Sequence, residues 1–217
     1  MREGFVTRGY PDVVADVLAA EMERDPELVC ITPSTLYATG LAKIFAQHPG
    51  RCFDPGMEEQ HALTLATGLA LGGKKPVVAY QSTFFQRAFD QLLHDLCFLD
   101  QPALLLLYRS GFAGYDNPTH HGIYDLAYLR AVPNLRLCYP KVRFEAERMV
   151  KDELAHLAGP TAILMPYGPI DELDDSVLLE TPEAFALPQV DHVGRELVVF
   201  TVGNRYRAAL EAVESLR

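Results

Sequence analysis

The sequence predicts a doubly wound α/β domain, in which helices cover both faces of a parallel sheet. Short apolar stretches alternate with helical patterns along most of the chain, as is typical of this fold class. The stretch at 103–108, ALLLLY, is apolar throughout, as expected for a parallel strand that is buried on both faces. In this architecture, functional sites lie beyond the carboxyl ends of the strands.

Apolar residues at helical spacing and short β-branched runs define the elements of the first half of the chain. The predicted helices are 11–24, 39–48, 59–71 and 82–99. The predicted strands are 28–32, 51–54 and 76–80. Each of these strands is followed by a helix, which is the connection that parallel strands require.

The same alternation continues to residue 168 and then stops. Strands are predicted at 103–108, 135–138 and 161–165, and helices at 124–131 and 144–157. Residues 1–168 therefore form one predicted domain, and the acidic segment 169–193 forms a linker. A predicted strand at 196–202 and helix at 204–216 make a short α/β appendage over 194–217. Because such a small unit cannot bury a core of its own, it must dock on the first domain, dock on a partner, or begin a longer chain.

Composition and charge exclude several classes of function. The 217-residue chain has a net charge of -10, which argues against nucleic acid and anionic membranes as partners. Four widely spaced cysteines show no metal or redox pattern and are predicted to be reduced thiols. The N-terminal stretch has no apolar signal region, and no apolar run has membrane-spanning length. We therefore expect a cytoplasmic protein.

The stretch at 53–71, FDPGMEEQHALTLATGLAL, organises the chain, and Glu59 lies at its centre. One interpretation of Glu58 and Glu59 is general, because acids in a first helical turn favour the helix dipole in any protein. The other is functional. Neighbouring helical residues point roughly 100° apart, so one acid must face the buried side, where a carboxyl group needs a specific partner. Since the helix body is apolar or small on all sides, we expect it to pack on its own sheet and on a second protein chain.

Polar residues gather after three of the predicted strands. The segments are 32–40, TPSTLYATG; 81–91, QSTFFQRAFDQ; and 109–122, RSGFAGYDNPTHHG. The third follows the most apolar strand, and long loops at this end of a sheet are more often functional than accidental. The sequence contains neither a glycine-rich phosphate loop nor a GxSxG serine motif.

Simpler interpretations of single residues stay open. Adjacent histidines such as His120 and His121 point apart in most backbones, and no ligand cluster accompanies them, so a metal pair is disfavoured. Arg87 could be no more than a salt-bridge partner of Asp90 or Asp116. No metal ligand is predicted in this chain.

Two strings give the chain a specific resemblance. GMEEQHALTLATGLALGGKKPVVAYQSTFFQRAFDQLLHD is followed by NPTHHGIYDLAYLRAVPN. Together they closely resemble the central, pyrimidine-binding domain of the 1-deoxy-D-xylulose-5-phosphate synthases, thiamine-diphosphate enzymes of the transketolase superfamily. The resemblance covers 1–168, and 194–217 is similar to the start of the family's C-terminal domain.

The resemblance implies roles for individual residues. Glu59 would hydrogen-bond the aminopyrimidine ring of thiamine diphosphate and, with His120, would be catalytic. Phe84 and Arg87 would join Glu59 around the cofactor. The substrate would be contacted by six side chains: Gln81, Arg87, Arg109, Asp116, His120 and Tyr167. The implied reaction is the decarboxylation of a 2-oxo acid such as pyruvate and ligation of the two-carbon unit to an aldehyde.

The chain departs from the family at two of these positions. The family has a tyrosine at the position of Gln81 and an arginine at that of Tyr167. Losing the arginine removes a charge-assisted contact that suits a phosphate group. A different aldehyde or ketone, an unphosphorylated one included, is therefore an alternative to the family's phosphorylated acceptor.

The family's diphosphate-binding domain has no counterpart in this sequence. That domain holds magnesium through a GDG string and a downstream asparagine, and no GDG occurs here. The resemblance therefore implies a partner subunit that supplies this domain and the Mg2+, with self-association through the helix at 59–71. Two alternatives stay open: a non-catalytic scaffolding or regulatory homologue, and a domain excised from a full-length synthase.

Overall fold

A six-stranded sheet forms the centre of the fold. The structure is a computed structural model that describes residues 9–113, 118–168, 170 and 194–216. The strands are β1 (Leu28–Ile31), β2 (Cys52–Phe53), β3 (Lys75–Gln81), β4 (Ala103–Ser110), β5 (Arg136–Cys138) and β6 (Pro160–Pro166). Their order is β2-β1-β3-β4-β6-β5, and all neighbouring strands are parallel. The predicted fold class is confirmed.

Helices flank this sheet on both faces. They are α1 (Tyr10–Arg24), α2 (Ala42–Gln47), α3 (Glu59–Leu71), α4 (Ser82–Phe85), α5 (Phe89–Gln91), α6 (Asp125–Leu129), α7 (Arg143–Ala155) and α8 (Tyr206–Ser215). Alternate residues of the central strands face opposite cores. Val77 and Leu104 pack with α1 and α7, whereas Val78 and Leu105 pack with α3 and the segments that follow β3.

The predicted helix at 82–99 is broken in the structure. After α4 comes a 3-10 turn (Gln86–Ala88), then α5, then a π-helical segment (Leu92–Cys97). The apolar spacing that predicts a helix still covers the sheet, since Phe85, Leu92 and Leu96 are fully buried. Departures of this kind within a helix are frequent at functional sites.

Two further predicted elements differ from the structure. The helix predicted at 39–48 is shortened to α2, because residues 36–41 form turns and Gly40 has a φ of 74°. The prediction of a strand at 196–202 is wrong: no described residue pairs with this segment, and Leu197, Val198 and Phe200 are largely exposed. A β-branched run forms a strand only where a neighbouring strand accepts its hydrogen bonds.

The helix predicted at 204–216 is present as α8, and it docks on the first domain. A 3-10 turn (Gly203–Arg205) precedes it, and Gly203 lies against the ring of Tyr139. Asn204 Nδ2 donates to the carbonyl of Tyr167 at 3.3 Å. The Lys141 ammonium lies 4.6 Å from the centre of the buried Tyr206 ring. The appendage thus lies beyond the carboxyl ends of β5 and β6, while the predicted linker at 169–193 falls outside the described residues apart from position 170.

None of the helices in the described part of the chain is both long and apolar enough to span a membrane.

Docking of α8 should depend on the absence of a side chain at residue 203. Gly203 has a φ of 60°, and an added Cβ would come within 2.6 Å of the Tyr139 ring. We expect Gly203→Ala to weaken docking by about 1–2 kcal/mol from the backbone conformation alone, with further loss from the clash. Hydrogen exchange of peptides from α8 should then be faster.

Gly194→Ala is the matched control in the same appendage. Among the described residues, its added Cβ would meet only the Leu197 carbonyl, at 3.7 Å. Equal exchange of α8 in the two variants would contradict the docking described above.

Candidate active site

The carboxyl ends of β3, β4 and β6 and the start of α3 form one polar edge of the molecule. Glu59 is the first residue of α3, and Arg87 lies in the 3-10 turn after β3. Arg109 lies at the end of β4, and Tyr167 directly follows β6. The parallel strands therefore place these predicted site residues at the same edge of the sheet.

Glu59 is the buried acid of the pair at the helix start. Its residue is 5% exposed, while Glu58, the N-cap, is exposed. Its Oε2 atom accepts a hydrogen bond from Arg87 Nη1 at 3.1 Å, and the Arg87 side chain is 60% exposed. The prediction that one acid faces inward is confirmed.

The stabilisation that this ion pair supplies is too small to explain why Glu59 is buried. An ion pair with a solvent-exposed partner contributes about 0–1 kcal/mol, whereas burying a carboxylate costs several kcal/mol. The stability of the fold therefore does not explain an acid at this buried position.

The position of Glu59 is fixed from below by the sheet. The hydroxyl group of Tyr80, a fully buried residue of β3, donates to the backbone carbonyl of Glu59 at 3.0 Å. Burial, with a smaller contribution from the charge of Glu59, holds the pKa of Tyr80 well above its usual value. Tyr80 is thus a permanent donor, and it ties the first turn of α3 to the core.

Arg87 pairs with Glu59 rather than with Asp90, which is one of the two partners suggested for it. Asp90 instead contacts His94, whose Nδ1 lies 2.9 Å from its carboxylate. The 3-10 turn that breaks the predicted helix carries Arg87, and the guanidinium reaches the start of α3 from there. Asp116, the other suggested partner and a predicted substrate residue, lies outside the described residues.

Phe84 and His120 form a second contact of the site. Their rings pack edge to face, with centroids 5.2 Å apart at an angle of 83°. The neighbouring residues join the same segments, since Thr83 Oγ1 donates to the Thr119 carbonyl at 2.8 Å. The segment after β4 is therefore tied to the segment after β3.

Arg109 and Tyr167 form a third contact. The Arg109 guanidinium lies 5.2 Å from the centre of the Tyr167 ring, a distance that suits a cation–π interaction. Gln81, at the end of β3, has a buried Oε1 atom without a hydrogen-bond partner among the described residues. The structure thus groups the predicted residues in pairs along one edge: Glu59 with Arg87, Phe84 with His120, and Arg109 with Tyr167.

A buried polar cluster beneath this edge was missed by the sequence analysis. Asp125 opens α6 and is 1% exposed, and its Oδ2 accepts from Ser110 Oγ at 2.8 Å. Burial raises its pKa to about 6, and the nearby hydroxyl groups of Ser110 and Ser82 partly offset this. Its only signal in the sequence is an acid at a predicted helix start, which by itself indicates no more than a favourable helix dipole.

The polar segment after β1 serves local structure instead. Thr32 Oγ1 donates to the Ala79 carbonyl at 2.9 Å and lies 2.8 Å from Thr35 Oγ1. Thr39 Oγ1 donates to the Thr35 carbonyl at 3.0 Å. These buried threonines satisfy one another, so the hydroxyl groups close the turn after β1. His121 is likewise used locally, since its Nδ1 accepts from the Ala113 amide at 2.9 Å.

Within the described residues, no three His, Cys, Asp or Glu side chains converge in a group that could hold a metal ion.

Comparison with known proteins points to one family. Residues 8–169 match the family described as transketolase, pyrimidine binding domain. A 1-deoxy-D-xylulose-5-phosphate synthase of Crocosphaera subtropica is 46% identical over 159 residues, which are 73% of this chain and 25% of that protein. The 1-deoxy-D-xylulose-5-phosphate synthase 2 of Geobacter sulfurreducens is 40% identical over 95% of this chain and 33% of its own length. The chain thus spans a third or less of the length of these relatives.

Solved structures share the same fold. A split gene transketolase, solved as an inactive beta4 tetramer, has a TM-score of 0.76 at 24% identity and covers 96% of this chain and 67% of its own. The transketolase of Pichia stipitis, in complex with a sugar phosphate, has a TM-score of 0.68 at 18% identity over 76% of this chain and 26% of its own. At these identities, the likeness concerns the fold alone.

Asp125 should make the stability of the fold depend on pH. Because its pKa rises from the ordinary 3.8 to about 6 on folding, the native state keeps a proton that the unfolded chain releases between these values. The free energy of unfolding should therefore fall as the pH rises from about 4 to about 6, by about 1.4 kcal/mol for each unit of pKa difference. Urea unfolding across this range, compared with Asp125→Asn, measures the effect.

Asp125→Asn cannot titrate, so its profile should lack this fall, and its free energy of unfolding relative to that of the original chain should rise by this amount over the range. Other carboxyl groups titrate in both proteins and cancel in the comparison. Parallel profiles for the two proteins would contradict the raised pKa.

Proposed function

The chain belongs to the transketolase pyrimidine-binding domain family, and from this premise we propose that it is the pyrimidine-binding component of a split thiamine-diphosphate-dependent synthase. The reaction would be of the 1-deoxy-D-xylulose-5-phosphate synthase or transketolase type. It would decarboxylate a 2-oxo acid such as pyruvate and join the two-carbon unit to an aldehyde. The chain would act as a transferase only with a partner subunit.

The burial of Glu59 carries this proposal. A carboxylate at the start of α3, 5% exposed and held by an arginine that is itself accessible, suits recognition of a ring nitrogen that carries a proton. Phe84 offers an aromatic face beside His120, as a planar pyrimidine would need. When bound, thiamine diphosphate supplies a nucleophilic carbon that accepts the acyl fragment of the 2-oxo acid.

Arg87 would have two roles in this site. It keeps the carboxylate of Glu59 hydrogen-bonded at 3.1 Å before the cofactor binds. Because its side chain is mostly exposed, it can turn toward a ligand at little cost. Glu59 would then hold or release a proton at its Oε2 atom as a general acid–base group.

The remaining residues would bind the substrate. Arg109 presents its guanidinium over Tyr167, and Gln81 brings an amide whose oxygen is unpaired among the described residues. His120 would contact a carbonyl or hydroxyl group of the substrate, as would Asp116. With an aromatic ring rather than a second cation beside Arg109, an acceptor less charged than a sugar phosphate is an alternative substrate.

The rest of the cofactor would be held elsewhere. The chain spans a third or less of its relatives' length, and it contains no GDG string. We propose that a second polypeptide binds the diphosphate and its Mg2+. The split gene transketolase among the structural neighbours supports such a division.

The outer face of α3 would be the site of subunit contact. One side of this helix is exposed, at His61, Thr64, Gly68 and Leu71. Apart from the adjoining backbone of the helix itself, no described atom lies within 4 Å of where a Cβ on Gly68 would stand. A backbone from another chain could therefore approach closely. The buried face of α3 contacts β3 and the segments after it, which leaves the outer face for the proposed subunit contact.

Two alternatives keep a specific basis. The short span relative to the relatives also suits a domain excised from a full-length synthase. A scaffolding or regulatory homologue would need the fold and interface but not a buried Glu59, and this disfavours it.

The four free thiols support a reducing, cytoplasmic setting.

Glu59→Gln should remove catalysis without removing the fold. The amide keeps the shape but cannot serve as an acid–base group, so we expect turnover of the assembled complex to fall by about 10²-fold or more. Glu58→Gln, at the exposed N-cap, is the matched control and should stay close to the original rate. A 2-oxo acid decarboxylation assay with candidate aldehydes measures both. If the Glu59→Gln complex co-purifies and is as active as the original complex, the role assigned to Glu59 is contradicted.

Thiamine diphosphate should bind only to the complete site. The isolated chain should show no binding in a calorimetric titration, because it lacks the diphosphate contacts. A mixture with the partner that carries a GDG domain, obtained by co-purifying the native complex, should bind the cofactor. Tight binding to the isolated chain would refute the shared site, and recovery of one longer polypeptide would favour the excised-domain alternative.

A further inference from the structure

The cluster around Asp125 lies directly beneath the two segments that carry Arg109 and His120. Ser110 Oγ donates to Asp125 at 2.8 Å, and Ser82 Oγ donates to the Arg109 carbonyl at 3.2 Å. Ser82, Ser110 and Asp125 are each at most 3% exposed. This cluster therefore joins the ends of β3 and β4 to the start of α6.

The cluster also fixes the point where the segment after β4 returns to the sheet. Gly111 and Gly122 exchange two backbone hydrogen bonds, of 3.1 and 2.8 Å. A Cβ on Gly122 would collide with Ser82 Oγ and Asp125 Oδ2 and would lie 2.9 Å from the Ser110 Cα. Gly122 thus rests directly on the cluster, two residues after His120.

The backbone above the cluster has an unfavourable conformation. Arg109 has a φ of 62°, a region that residues with a side chain rarely occupy, and Gly111 has a φ of 77°. Such conformations persist only where the surroundings impose them, and they concentrate at functional sites. Two hydrogen bonds supply that restraint. Ser82 Oγ donates to the Arg109 carbonyl, and Oγ of the next residue, Ser110, donates to Asp125.

Fold stability alone does not explain an acid at this position. The hydrogen bond to its Oδ2 atom comes from a neutral hydroxyl group, that of Ser110, and its Oδ1 atom is buried without a partner among the described residues. A buried carboxyl group with such partners lowers stability when it ionises, and its raised pKa, about 6, reflects this cost. An apolar residue would be cheaper here.

We propose that Asp125 is a positioning residue: through Ser110 and Ser82 it fixes the backbone of Arg109 and the Gly111–Gly122 pair, and so sets where Arg109 and His120 face the substrate. The part of this inference that concerns substrate rests on the proposed function. The part that concerns the backbone does not. Asp125 touches neither substrate nor cofactor and acts through its neighbours.

The test compares Asp125 with another buried carboxylate at the opposite edge of the sheet. Glu153 is 7% exposed, accepts from Thr161 Oγ1 at 2.9 Å and pairs with Arg136 at 2.8 Å. Thr161 and Arg136 lie at the amino ends of β6 and β5, away from the site. Glu153→Ala therefore controls for the loss of a buried hydrogen-bonded acid.

Hydrogen exchange in the full chain, followed by NMR, gives the first readout. In Asp125→Ala, the amides of Gly111 and Gly122 should exchange roughly tenfold or more faster, because a buried hydrogen-bonding group is lost beneath them. Amides in the middle of β3 should not change in the same measurement. Asp125→Asn, which keeps one acceptor oxygen, should restore part of the protection, and Glu153→Ala should leave both glycines as in the original chain.

Kinetics of the assembled complex give the second readout. Asp125→Ala should raise the KM for the acceptor about tenfold, the change expected when one hydrogen bond to the acceptor is lost. The affinity for thiamine diphosphate should stay within about twofold of that of the original complex. Ser110→Ala, a smaller change, serves if Asp125→Ala does not fold, and should act in the same direction.

The outcomes separate the two proposals. Unchanged exchange at Gly111 and Gly122 in Asp125→Ala or Ser110→Ala, or equal effects from Glu153→Ala, would overturn the positioning role. Faster exchange with no acceptor-specific rise in KM would overturn its link to substrate. If the complex proves to have no thiamine-dependent activity, the proposed function fails, while the exchange result still decides whether Asp125 fixes this backbone.

Discussion

The constraint on which the site depends is the burial of one carboxylate at the first turn of α3. Glu59 sits between a core that holds its backbone, through Tyr80, and an exposed arginine that holds its side chain. The first contact is permanent, because Tyr80 is fully buried. The second is exchangeable, because Arg87 remains in contact with solvent. Glu59 is therefore fixed in place yet free to change its partner.

The parallel sheet turns distant parts of the sequence into neighbours. Four predicted site residues lie at or after the carboxyl ends of different strands, so they share one edge of the sheet: Glu59, Arg87, Arg109 and Tyr167. Apolar cores lie on both sides of the sheet and support that edge. The polar cluster of Asp125, Ser110 and Ser82 extends this base upward into the segments that leave the sheet. Function is thus carried by irregular backbone on a regular support.

The strands and most helices could be predicted because their signals are local. The apolar run of β4 and the small and apolar body of α3 follow directly from the spacing of residues. The predicted site residues Glu59, Phe84, Arg87 and His120 came from the resemblance of the two strings to a known family. Their pairing could not be predicted, because Glu59 and Arg87 meet only through the break after α4. The Asp125 cluster escaped for the same reason: Ser82, Ser110 and Asp125 lie far apart in sequence, and each is ordinary by itself. The strand predicted at 196–202 does not form, because a strand needs a neighbouring strand to pair with, and the spacing of residues within the run does not show whether one is present.

The exposed segment at 197–202 affects the solubility of the chain. Between 197 and 202 it shows five large apolar side chains to water: Leu197, Val198, Val199, Phe200 and Val202. A β-prone run of this kind, with few charges, favours the stacking of identical molecules into cross-β aggregates. A second chain that packed on this run would shield these side chains from water. Charged substitutions along this run are the natural way to keep concentrated samples clear.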